Sequence, residues 1–151
     1  MKPITVVIAV GEKAPRIACL QVLQSQKEMR VVAEARSGLD AIAVAAKFKP
    51  RIIILDLNVS LGRGIELISA LRRKSPGSKV ILLIGRTSET RILEALSGGA
   101  LGYLEEKALH SFLPKAIRVV DAGEAWVPRK FVAKIISRLA RLTTVPHSAI
   151  A

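Results

Sequence analysis

Arg51-Ile52-Ile53-Ile54-Leu55-Asp56-Leu57-Asn58 (RIIILDLN, residues 51–58) decides the fold. Successive aliphatic residues without polar alternation describe a strand covered on both faces, as in the middle of a parallel sheet. Ile4–Val10, Arg30–Ala35 and Lys79–Ile84 read the same way, and Leu101–Leu104 is a shorter fifth strand. Segments of helical length lie between and after them: Pro15–Lys27, Leu39–Phe48, Gly64–Lys74, Glu89–Ser97 and Leu109–Ala122. Pro50, Ser75-Pro76-Gly77, Gly98-Gly99 and Gly123 stop four of these helices. Regular alternation of strand and helix predicts an α/β fold: a parallel sheet with right-handed crossovers and helices on both faces.

Composition bounds the chemistry. Half of the 151 residues are hydrophobic, which excludes a disordered chain despite a net charge of +12. Aromatics at 3% disfavour a stacking surface for unpaired bases. Cys19 is alone, so there is no disulfide framework and no cysteine-rich zinc site, and buried packing is its expected role. Met1 to Val10 faintly resembles a signal peptide, but Gly11-Glu12-Lys13 cuts the apolar run short. No run is long enough to span a membrane, and the expected compartment is the cytoplasm.

Sites in open α/β sheets lie beyond the carboxyl ends of the strands, where the strand order reverses. The residues there are Gly11 and Glu12 after the first strand, Asp56 and Asn58 after the third, Ile84-Gly85 after the fourth, and Glu105-Glu106-Lys107 after the fifth. Asp56 closes an otherwise apolar strand; it is either a functional acid or a turn residue capping the next element. Glu12 alone would be a solvated turn residue. No nucleophile–base pair, Gly-rich phosphate loop or metal-ligand cluster appears elsewhere, and Gly62-Arg63-Gly64 reads as a simple loop, so an enzyme is not expected.

These residues carry a family resemblance. From Val6 to Leu142 the chain resembles a response-regulator receiver domain, most similar to the NarL/FixJ-like subfamily. The matching pieces are Ile52–Asp56, Gly64-Ile65-Glu66-Leu67, Ser97-Gly98-Gly99-Ala100-Leu101-Gly102-Tyr103-Leu104 and Ala122-Gly123-Glu124-Ala125-Trp126-Val127. The resemblance implies a flavodoxin/CheY-like (βα)5 doubly wound sheet of order 2-1-3-4-5, with a C-terminal linker helix. It also implies a phosphate switch: acids after strands one and three bind Mg²⁺, and the Asp accepts a phosphoryl group from a histidine kinase. A Lys and a hydroxyl residue then hold that group, and an aromatic on strand five turns inward.

Carried over position by position, Asp56 matches the phosphoacceptor, Asn58 the residue whose carbonyl binds metal, Glu12 the second acid and Tyr103 the switch aromatic. Gly11 stands where the first acid belongs, Ile84 where the hydroxyl belongs, and Glu106 where the Lys belongs. Val59-Ser60 replaces the usual Met-Pro. Lys107 is adjacent to Glu106, but successive side chains generally point apart. An anion facing an anion at close range costs on the order of several kcal/mol at intermediate dielectric. The expectation is therefore a degenerate, atypical receiver with a weak Mg²⁺ site at Glu12, Asp56 and Asn58. It would be weakly phosphorylated or not at all, and would act through protein contacts.

The domain reading is a receiver over residues 1–124, a linker helix over 125–142 and a tail over 143–151. After Glu124 the chain holds no acid, and Lys130, Lys134, Arg138 and Arg141 share one basic face of the last helix. Phe131, Val132, Ile135, Ile136, Leu139 and Leu142 form the neighbouring apolar stripe. The bland reading is a helix packed on its body with a solvated basic side; the alternatives are a dimer contact, an anionic membrane or non-specific nucleic acid. Expected partners are a histidine kinase or other regulatory protein and a second copy. DNA would be met only through an output domain that this sequence lacks, or non-specifically through the basic face.

Overall fold

The computed structural model describes residues 2–59 and 64–143, with side chains through Arg141. Strands β1 (Ile4–Ala9), β2 (Met29–Ala35), β3 (Ile52–Leu55), β4 (Lys79–Ile84) and β5 (Gly102–Glu105) alternate with helices α1 (Lys13–Gln24), α2 (Gly38–Phe48), α3 (Gly64–Lys74), α4 (Glu89–Ser97) and α5 (Leu109–Asp121). Helix α6 (Arg129–Thr143) comes after them. The strands form one parallel sheet of order β2-β1-β3-β4-β5. The expected topology is present, and the order reverses between β1 and β3.

Period-two alternation divides the core into two layers. Val7, Ile53, Leu55, Leu82 and Ile84 face α2, α3 and α4, with Leu67, Ile68, Leu71 and Ile92 packed on them. Val6, Ile8, Ile52, Ile54, Ile81 and Leu83 face α1 and α5, against Leu23, Leu113, Ile117 and Val120. Cys19 is fully buried in this second layer, which pushes its thiol pKa up to about 12. The thiol is inert packing.

Two strands end earlier than their apolar runs. β3 stops at Leu55, because the Asp56 carboxylate accepts the Asn58 N–H and turns residues 57–59 into a single 3₁₀ turn. β1 stops at Ala9, where Arg16 collects the carbonyls of the next two residues. At the other side of the sheet, Trp126 donates its N–H to Leu101 and accepts from Tyr103 N–H (2.9 and 2.7 Å). That short stretch covers the outer edge of β5.

Helix α6 packs on α4. Phe131 is 2% exposed in the first core layer, and Ile135 packs against the same layer. Val132, Ile136 and Leu139 stay exposed, so two of the five described residues of the apolar stripe are used. The Leu142 side chain, Ser60, Gly62, Arg63 and the expected tail from 144 onward lie outside the described residues.

Ile54→Ala should lower unfolding free energy by about 2–5 kcal/mol in a urea titration, since it empties a fully buried site between rigid neighbours. Leu39→Ala, at a side chain 83% exposed, should stay within about 0.5 kcal/mol.

Candidate functional site

Asp56 sits one residue past β3, at the point where the strand order reverses. Its N–H donates to the Ala9 carbonyl (3.0 Å), which extends the β1–β3 pairing by one residue. The side chain is only 4% exposed, and it accepts the Asn58 N–H at 2.9 Å. Burial is the largest influence on this carboxyl and pushes its pKa up. The Asn58 N–H works against burial, Glu12 adds to it, and the Arg91 guanidinium works against it again.

Glu106 joins the same site. Parallel register pairs Ile84 with Glu105, so the next two residues, Gly85 and Glu106, also meet. A Cβ on Gly85 would lie 2.7 Å from Glu106 Oε1. The carboxylate thus lies over the end of β4 in space that only glycine leaves open. Burial raises the Glu106 pKa first, followed by the negative charges of Asp56 and Glu12. The charges of Asp56, Glu12 and Glu106 are thus felt by one another at this end of the sheet. Lys107 does not enter it: its side chain is exposed and pairs with Glu105 at 3.1 Å.

Ile84 and Tyr103 face into the first core layer. Ile84 is buried and offers no hydrogen bond toward Asp56. Tyr103 lies inward, its ring 5.2 Å from the Phe131 ring of α6 and its hydroxyl 3.4 Å from Glu105 Oε1. Tyr103 is thus in contact with the last helix.

Two arginines act here that the residue pattern did not single out. Arg91, in the first turn of α4, donates to the Leu57 carbonyl (2.8 Å) and to Asn58 Oδ1 (3.3 Å). Arg16, in α1, is buried, donates to the Gly11 carbonyl (3.0 Å) and pairs with Glu34 (3.6 Å). The available signal was a cation in the first turn of a helix, against the helix dipole, beside a strand end. At Gly11 a Cβ would meet nothing closer than 3.5 Å, so the backbone there does not demand glycine on steric grounds.

The donor set fits Mg²⁺ poorly. A hard cation of this size takes one or two carboxylates plus water or phosphate oxygens in a strict octahedron. Gly11 supplies no carboxylate, Glu12 is exposed, and one Asp56 oxygen already accepts the Asn58 N–H. Among the described residues no three His, Cys, Asp or Glu side chains are grouped to hold a metal.

The basic face is divided. Lys134 pairs with Glu89, and Arg138 with Glu94 at 3.8 Å, both across to α4. Lys130 and Arg141 remain exposed, with the Lys130 ammonium 5.1 Å from the Phe131 ring. The face expected to be solvated is thus partly a docking seam within the molecule. Among the described residues no helix is long and apolar enough to cross a membrane.

The family model for the response regulator receiver domain matches residues 6–118. The transcriptional regulatory protein YxjL of Bacillus subtilis (strain 168) is 32% identical over 145 residues, covering 96% of this chain and 66% of that protein. The transcriptional regulatory protein DegU of Brevibacillus brevis is 29% identical over 139 residues, covering 92% and 59%. The chain thus spans somewhat under two thirds of the length of these relatives. A two-component response regulator of the LuxR family from Aurantimonas sp. SI85-9A1 superposes with a TM-score of 0.77 at 19% identity. That superposition covers 92% of this chain and 99% of that one.

An acid whose folded pKa is raised destabilises the fold once pH climbs above its unfolded pKa, because the folded state holds its proton longer. Asp56→Asn and Glu106→Gln remove such a penalty. Both should therefore stabilise the protein more at about pH 7.5 than at about pH 4. Urea midpoints of the variants and the parent across that range measure the difference.

Proposed function

Because this chain belongs to the response regulator receiver domain family, we propose that it is a receiver whose Asp56 site no longer runs an aspartyl-phosphate switch, and that it signals through protein contacts. The observation that carries this reading is the Glu106 carboxylate lying over Gly85 at the end of β4, where the negative charges of Asp56 and Glu12 add to burial in raising its pKa. A phosphoryl group on Asp56 would bring more negative charge to two further carboxylates. The cation that should neutralise it is replaced by one of them, and Lys107 is committed to Glu105 outside. Ile84 offers the phosphoryl oxygens no donor. Mg²⁺, which receiver domains typically bind at the acidic site, would meet a thin donor set here. Two departures oppose the phosphorylated state, and the third, Gly11, weakens the metal that assists it.

Receiver domains of response regulators interact with histidine kinases and often dimerise. The family's proteins are signalling proteins rather than enzymes. The relatives named above are transcriptional regulators, and we read this chain as the regulatory part of such a protein. Nucleic-acid binding through α6 is the weaker reading, since Lys134 and Arg138 are already paired with α4 acids.

Incubation with acetyl phosphate and Mg²⁺ should leave the intact mass of the parent unchanged. A stoichiometric adduct that disappears in Asp56→Asn would overturn the reading. The double variant Ile84→Thr/Glu106→Lys, which restores a hydroxyl and a cation, should acquire an adduct under the same conditions.

A further inference from the structure

A receiver without a working phosphate switch still needs a path from its site to its surface. The usual path begins at a hydroxyl, and Ile84 has none. The structure holds a different one. Asn58 N–H donates to Asp56 Oδ1 (2.9 Å), and the Asn58 side chain reaches two places on the next crossover. Its Nδ2 donates to the Arg86 carbonyl in the β4–α4 loop (3.3 Å), and its Oδ1 accepts from Arg91 Nη1. Arg91 Nη2 donates to the Leu57 carbonyl. The guanidinium fork therefore holds the residues on both sides of the 57–58 peptide at once, which a single ammonium could not do.

From Arg91 the path continues along α4. Glu89, two residues earlier, pairs with Lys134, and Glu94, three residues later, pairs with Arg138. Both partners lie on α6. Phe131 of α6 rests on Tyr103, which shares the core layer with Ile84 and Ile92 of α4. The position of Arg91 breaks a local rule, since a cation in the first turn opposes the helix dipole. Local rules are broken where a side chain has another task.

We infer that Arg91 is a positioning residue coupling the Asp56 loop to the seam between α4 and α6, and that undocking of α6 is the response it controls. The inference rests on the reading of the site as one without a phosphate switch. Arg91 sets where α4 lies relative to Leu57 and Asn58, and α4 carries both acids that clamp α6. A partner or modification that shifts the 56–58 turn would thereby loosen α6, freeing Lys134, Arg138 and the Phe131 face together.

Amide hydrogen exchange on the full chain, without phosphodonor, tests this. Asn58→Ala and Arg91→Ala should each speed exchange in residues 129–143 by at least about threefold, the scale of one or two lost hydrogen bonds. Exchange in α1 and α5 should not change. The double variant should be no faster than Arg91→Ala, since both remove one link. Arg91→Lys, which keeps the charge and one donor, should recover part of the protection. Unchanged α6 exchange in Arg91→Ala, additive effects, or equal acceleration in α1 and α5 would each overturn the inference. If Arg91→Ala does not fold, the same cycle with Arg91→Gln has the same deciding outcomes. An acetyl-phosphate adduct on the parent would overturn the proposed function, while the exchange cycle decides the coupling separately, from α6 protection alone.

Discussion

Everything at the functional end of this molecule follows from one buried carboxylate. Asp56 is held by the main chain: its N–H is paired to Ala9 across the β1–β3 junction, and its side chain is shut from water by the strands around it. A carboxylate in that setting must be neutralised, hydrogen-bonded or kept protonated. Here one backbone N–H and one arginine support the charge, Glu12 opposes it, and Asp56 in turn raises the pKa of Glu106. Asp56 and Glu106 therefore both hold their protons to higher pH than an ordinary carboxyl does.

The two unanticipated arginines answer a different need. At the carboxyl ends of parallel strands, main-chain carbonyls run out of ladder partners, and buried carbonyls need donors. Arg16 serves the end of β1 and Arg91 the turn after β3. Each stands at the start of a helix that returns along the sheet. Because Arg91 also belongs to α4, satisfying those carbonyls ties the Asp56 turn to the helix on which α6 rests. Local hydrogen-bond satisfaction and long-range coupling are then the same set of contacts.

Part of this was legible in the residue order. Unbroken aliphatic runs in 52–55 and 80–84, helix stops at Pro50 and Gly123, and strict alternation led to the parallel α/β sheet. Asp56, Asn58, Glu12, Gly11, Ile84, Glu106 and Tyr103 could be placed at strand ends by counting. Arg91 and Arg16 could not, because nothing in a helix's first turn states which carbonyl its side chain will reach. The basic stripe of α6 was visible as a stripe, but that Lys134 and Arg138 are spent on Glu89 and Glu94 depends on α4 and α6 lying side by side.

By itself, the sequence determined the layering, the strand ends that carry chemistry, and the acid at position 106, because these follow from periodicity and residue type alone. Only the tertiary structure decided that the Glu106 carboxylate lies over Gly85, that Arg91 is the cation acting on Asp56, and that α6 covers α4 through Phe131 and two ion pairs. The physical reason is range. Patterning acts within a strand or a turn of helix, whereas these three contacts join residues 21, 35 and about 45 positions apart, which meet only after the parallel register is set.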